Sequence, residues 1–260
     1  MNNITVINID SSVLSLSDYP DQSSSNLTVN LNTEIQEACS ISLTLATIPC
    51  TFYNISEARK NNRINVKGFE LAALTIPDGL YDIQSFSRVF ADKLKEKRMS
   101  RGAVRFDVEE PTGKAKLKFI KRKNEEHYQI YFLGKSNELF GMKSEWPYPL
   151  DNKSKDEVVS EKPINFRPIN YFVFHCDLID STNVLINNEE SIMTPSDVLA
   201  VIPIKEANFG DLIAYTFEKP IAIPCKPRFN KLNIRLTDEK GDTIDLNGHN
   251  VQYQLVLIHL

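Results

Sequence analysis

The chain has 260 residues, 42% apolar and 25% charged, with 9 Gly, 13 Pro and a formal net charge of −4. That length buries a sizeable core, as one large all-β unit or two smaller ones, and the Gly and Pro content excludes a fibrous or disordered chain. The acidic balance argues against a specific nucleic-acid partner, because gripping a phosphate backbone needs a concentrated basic surface.

The opening "MNNITVINID" lacks the basic and long apolar regions of a signal peptide. No stretch approaches the roughly 20 apolar residues of a membrane span, and no lipidation motif is present. The expectation is a protein without a membrane span, made and kept inside a cell or inside something assembled there. "LTVNLN" (Leu27–Asn32) alternates apolar and polar residues, and "SISLTLATI" does so more clearly, with Ile41, Leu43 and Leu45 on one face and Ser42 and Thr44 on the other. This second strand runs into "ATIPCTFYNI". Pro49 stops it, and Phe52, Tyr53 and Ile55 follow where a polar loop is ordinary. Two readings are open: these four residues are contact area for a neighbouring subunit, or Phe52 and Ile55 fold back to cap the core. "INVKGFELAAL" then alternates less cleanly.

One segment breaks the strand pattern. Ile83, Phe86, Phe90 and Leu94 fall at helical spacing, Asp82 is a plausible N-cap, and Lys95, Lys97 and Arg98 suit the negative end of the macrodipole. The spacing predicts one amphipathic helix over about 82–98, lying on an open sheet face. "VRFDVEEPTGKAKLKFI" reads as a hairpin, and "HYQIYFLGKSNELFGM" as a strand with a short helical turn near Asn137–Phe140. Lys121, Arg122 and Lys123 concentrate positive charge on one hairpin, which is either a solvated tip or a contact for a glycan, nucleic acid or an acidic partner. Lys143–Pro163 is charged and holds three prolines and the single tryptophan, Trp146; it reads as a long exposed connection in which Trp146 packs back or serves as a contact residue. "NYFVFHCDLI", "VLAVIPI", "LIAYTFE", "KLNIRLTD" and "VQYQLVLIHL" complete the chain. Many short strands between turn residues define an all-β sandwich or barrel. The helix and its hairpins read as an inserted small α+β module over 76–162, flanked by residues 1–75 and 163–260 of one sandwich.

Chemistry-bearing groups are scattered. Cys39, Cys50, Cys176 and Cys225 lack CxxC spacing and read as reduced, buried thiols; a strand between Cys39 and Cys50 holds that pair too far apart to bridge. Among His127, His175, His249 and His259, only "HCD" at His175–Asp177 approaches a metal motif, and it has no second ligand cluster. GxSxG, P-loop, GxGxxG and HExxH patterns are absent. "DEKGDTIDLNG" (Asp238–Gly248) lacks the glutamate and flanking helices of an EF-hand and reads as a hairpin turn. The expectation is no catalytic residue, no metal, no cofactor, and no enzyme.

The order of these phrases carries a resemblance. "DYPDQSSSNLTVNL", "SLTLATIP" and "FYNI", then Ile76-Pro77-x-Gly79-x-Tyr81 before the helix, then "TGK", "LFGM" and "FNKLNIRLTDEKGDTIDLNG" before the apolar last strand, are similar to penton (vertex) and related minor capsid proteins of virophages and Polinton- or adintovirus-like elements. The likeness spans most of the chain, with no counterpart for Lys143–Pro163. It implies a single jelly roll that assembles as a homopentamer at the fivefold vertices of an icosahedral virion, beside a larger double-jelly-roll major capsid protein. The virion is then the place of the protein, assembled inside the host cell. In that setting the insert faces outward and is where a host-surface receptor or glycan would bind. The alternative is a jelly-roll binding module, lectin-like or trimeric ligand-like, that takes a glycan or receptor through the same insert.

Overall fold

The structure is a computed structural model that describes residues 3–14, 23–67, 71–97, 104–119, 128–142, 148–150, 157–167, 169–179, 197–205 and 207–259. In chain order these form β1 (Ile4–Asp10), β2 (Asn26–Ile35), β3 (Ala38–Pro49), β4 (Arg63–Lys67), β5 (Leu71–Thr75), α1 (Ile83–Glu96), β6 (Val104–Glu109), β7 (Lys114–Phe119) and β8 (Tyr128–Phe132). Then come α2 (Ser136–Leu139), β9 (Tyr148–Leu150), β10 (Glu157–Pro163), β11 (Tyr171–Cys176), β12 (Val198–Pro203), β13 (Leu212–Thr216), β14 (Ile223–Pro224), β15 (Phe229–Thr237) and β16 (Gln252–His259). The chain divides into two compact units, Met1–Phe52 with Ile169–Leu260, and Tyr53–Pro168.

The first unit is a jelly roll. One antiparallel sheet has the order β1-β16-β3-β13, with β14 also on β3; the other has the order β12-β11-β15-β2. Setting aside the two-residue β14, the first strand pairs with the last (β1 with β16), the second with the second-last (β2 with β15), then β3 with β13 and β11 with β12. That is one long hairpin wound into two sheets, the jelly-roll connectivity. Period-two alternation supplies its core. Ile41, Leu43, Tyr253, Leu255 and Leu257 point inward from one sheet, and Phe172, Phe174, Leu232, Ile234 and Leu236 from the other. The rings of Phe174 and Tyr253 meet edge to face at 4.8 Å across the two layers. Burial pushes the Tyr253 hydroxyl to a higher pKa, and this oxygen has no hydrogen-bond partner among the described residues.

The second unit packs α1 with two small antiparallel sheets, β5-β4-β8-β9 and β10-β7-β6. Asp82 caps α1 as expected: its carboxylate accepts from the Ser85 N–H at 2.7 Å, and the Ser85 hydroxyl accepts from the Asp82 N–H at 2.9 Å. Those Ser85 hydrogen bonds hold the Asp82 carboxyl below the usual aspartate value. Phe86, Phe90 and Leu94 are buried, and Phe86 sits 5.0 Å from Phe106 and 4.7 Å from Phe140, ring centre to ring centre. The helix thus covers a sheet face, as its apolar stripe requires.

Two local expectations are corrected. "INVKGFELAAL" is two paired strands, β4 and β5, with Ile64 opposite Leu74 and Val66 opposite Ala72. The connection expected over Lys143–Pro163 contains β9 and β10; β10 pairs with β7, and the Ser160 hydroxyl accepts from the Ala115 N–H at 2.9 Å and donates to the Lys162 carbonyl at 2.6 Å. Partnered backbone on β7 makes a strand of a segment whose composition reads as loop.

Candidate assembly surface

The phrase after β3 is built inward. Cys50 N–H donates to the Asp211 carbonyl at 2.8 Å, and the Thr51 hydroxyl donates to the Leu246 carbonyl at 2.8 Å. Phe52 is buried in the jelly-roll core with its ring edge-on to Phe172 at 5.8 Å. Asn54 is 0% exposed, with its Nδ2 donating to the carbonyls of Tyr81 at 2.7 Å and Phe166 at 2.9 Å. Ile55 and Gly79 exchange backbone hydrogen bonds of 3.1 and 2.9 Å, and the Ile55 side chain is fully buried in the core of the second unit. Pro49 is buried too, while Tyr53 keeps partial exposure. Pro49, Phe52 and Ile55 are thus buried within this chain, and of the four residues expected at a subunit contact Tyr53 is the one that keeps exposed surface. Lys121, Arg122, Lys123 and Trp146 lie outside the described residues.

The chemistry-bearing groups are engaged with their neighbours. His175 Nδ1 lies 2.6 Å from Asp197 Oδ1, and its Nε2 lies 3.0 Å from the Thr237 hydroxyl. The Asp177 carboxylate accepts from the Asn233 N–H at 2.8 Å and from its side-chain amide at 2.6 Å. His259 sits between the Thr5 hydroxyl at 2.9 Å and the Gln36 carbonyl at 3.0 Å. Among the described residues no three His, Cys, Asp or Glu side chains converge to hold a metal. All four cysteines are free thiols; burial pushes Cys176 up to about 12 and Cys225 up to about 11, which suppresses the reactive thiolate. Asp238 Oδ1 accepts from the Lys240 and Asp242 N–H groups, so "DEKGD" closes a hairpin turn.

What the jelly roll leaves open is apolar strand edge. On β1, Ile7 and Ile9 point into the core, while Ile4 is 63% exposed and Val6 is 50% exposed on the opposite face. They lie across from Ile258 and Val256 of β16, so four aliphatic side chains share that face. At the other end of the same sheet, on β13, Leu212 is 67% exposed, with exposed Phe209 just before it. The signal for β1 was present in "ITVINI": aliphatic residues in both phases mean a strand with no purely polar face, which a surface strand ordinarily has.

Among the described residues these features define an antiparallel jelly roll of eight long strands and the two-residue β14, with a small α+β insert between its third and fourth long strands, an architecture that spends exposed surface on edges and holds no converged reactive groups. No protein-family model matches the chain, and no curated protein matches it. Among solved structures the chain is similar in fold to the mavirus penton protein, with a TM-score of 0.51 at 10% identity over 99% of this chain and 100% of that one.

Proposed function

We propose that the chain is a structural capsid protein, a penton that forms pentamers at the fivefold vertices of an icosahedral virion beside a larger major capsid protein. The observation that carries this reading is the likeness to the mavirus penton protein over the whole of both chains, so that it spans the insert as well as the common jelly roll. The order of phrases from "SLTLATIP" to "LFGM" points the same way. A jelly roll closes its core between two sheets and leaves its sides for neighbours, and ring symmetry asks each subunit for two different patches. Native mass spectrometry of the purified chain, with negative-stain images, tests the reading. Rings of five are expected. Trimers, or a chain that stays monomeric at the highest soluble concentration, overturn it.

A further inference from the structure

The sheet β1-β16-β3-β13 has two open ends. Among the described residues no strand pairs with the outer edge of β1 or of β13. Each end carries exposed aliphatic surface, Ile4 and Val6 at one and Leu212 at the other. An exposed apolar edge is a template for further pairing unless something covers it.

Three observations indicate what covers it. First, each neighbouring pair in this sheet is antiparallel, so β1 and β13 run in opposite directions. A second copy rotated about an axis along the strands brings its β13 antiparallel to β1, with the edge N–H and C=O groups in position to exchange hydrogen bonds. Second, the two ends are different surfaces, as a ring-forming interface requires; a face that pairs with itself gives only a dimer. Third, the charges are complementary. The first basic residue of the chain is Arg59, so β1 and β2 carry no cation, and the nearest on that side are Lys231 and Arg235 of β15. Exposed Glu34 of β2 lies on the β1 side: His259 bonds both Thr5 of β1 and Gln36, and the Gln36 amide donates to Glu34. On the other side Lys205 and Lys219 line an open cleft against β13, together with Glu218.

We infer that a second copy of this chain covers the β1 edge with its β13 edge, so that the sheet continues from subunit to subunit around the ring. This rests on the pentamer reading and names the surfaces that close it. Ile4 and Val6 pack beside Leu212 of the next copy, and Glu34 beside β1 faces Lys205 and Lys219.

The test uses the full chain in two forms, Ile4→Lys with Val6→Lys, and Leu212→Lys. All three positions are at least half exposed, so both forms fold, which circular dichroism and the melting temperature check. Each form alone is expected to fall to monomers, needing about tenfold or more concentration to assemble. Mixed one to one, they are expected to give heterodimers and no rings: the first keeps an intact β13 edge, the second an intact β1 edge. Folded variants that form rings like the parent overturn the inference and leave the pentamer reading standing. Variants that separate but give no heterodimer on mixing also overturn it. A parent chain that forms no ring overturns both.

Discussion

Asn54 and Tyr81 exchange two hydrogen bonds: the Asn54 amide donates to the Tyr81 carbonyl at 2.7 Å, and the Tyr81 N–H donates to Asn54 Oδ1 at 2.8 Å. The same amide donates to the Phe166 carbonyl at 2.9 Å, and the Asn54 carbonyl accepts from Asn61 Nδ2 at 2.7 Å. One side chain thus joins the start of the second unit, the turn before its helix and its last segment. This is why the "FYNI" and Ile-Pro-x-Gly-x-Tyr phrases occur together: they are two halves of one polar clasp.

Asn54→Leu removes three hydrogen bonds from a site closed to water. Leaving the Tyr81 N–H and two carbonyls unpaired costs about 3 kcal/mol of unfolding free energy. Asn54→Asp is expected to be no better, since a carboxylate would face two carbonyl oxygens without a proton to donate. Urea unfolding of parent and variants checks this; a midpoint unchanged in Asn54→Leu contradicts the clasp.

Tyr253 is the reverse case. Its hydroxyl is buried in the jelly-roll core without a partner among the described residues. Tyr253→Phe keeps the ring against Phe174 and removes an unpaired polar atom, so stability is expected to hold or rise by about 1 kcal/mol. The pH dependence has a definite sign. Burial raises the folded hydroxyl above the usual tyrosine value. Below about pH 10 the group adds no slope; above it the unfolded chain ionises and the folded one does not, so the parent loses about 1.4 kcal/mol per pH unit. The melting temperatures of parent and Tyr253→Phe are expected to separate as pH rises from 9 to 11, with Tyr253→Phe the higher.

Gly141 belongs to "LFGM". It has φ +63°, and a Cβ placed there would run into the backbone carbonyl of Lys162. Its own carbonyl accepts from the N–H groups of Glu161 and Lys162, both at 3.1 Å. Gly141→Ala therefore suffers a left-handed backbone and a backbone collision that no side-chain rotation relieves, at a cost of about 2 kcal/mol. Because the strain is local to the second unit, hydrogen exchange is expected to speed up there, and an unchanged exchange pattern with an unchanged melting temperature contradicts it.

Local pattern carried a large part of this structure. The alternation placed Ile41 and Leu43 in the core, but a register shift after Leu43 changes the phase of β3, so that Ala46 and Ile48 are buried and Leu45 is only half-buried; Phe86, Phe90 and Leu94 with a capping Asp82 set the helix. Both signals lie within a dozen residues, where, that shift aside, side-chain periodicity and the backbone agree without outside help. The scattering of histidines and cysteines was equally visible, because motif spacing is a property of the chain.

What covers each face was decided only in three dimensions. Phe52 and Ile55 look alike in sequence, as large apolar side chains past a proline, yet Phe172 encloses one and the core around Gly79 and Ile64 holds the other. Residues 157–163 read as exposed loop and became strand β10 because β7 supplied its hydrogen-bond partners. Ile4 and Ile7 are the same residue three positions apart, but β16 carries one to the surface and the other into the core. Periodicity states that a strand has two faces; which face is wetted, and by what the other is met, follows from partners up to some 250 residues away, as with Thr5 and His259, that no local pattern encodes.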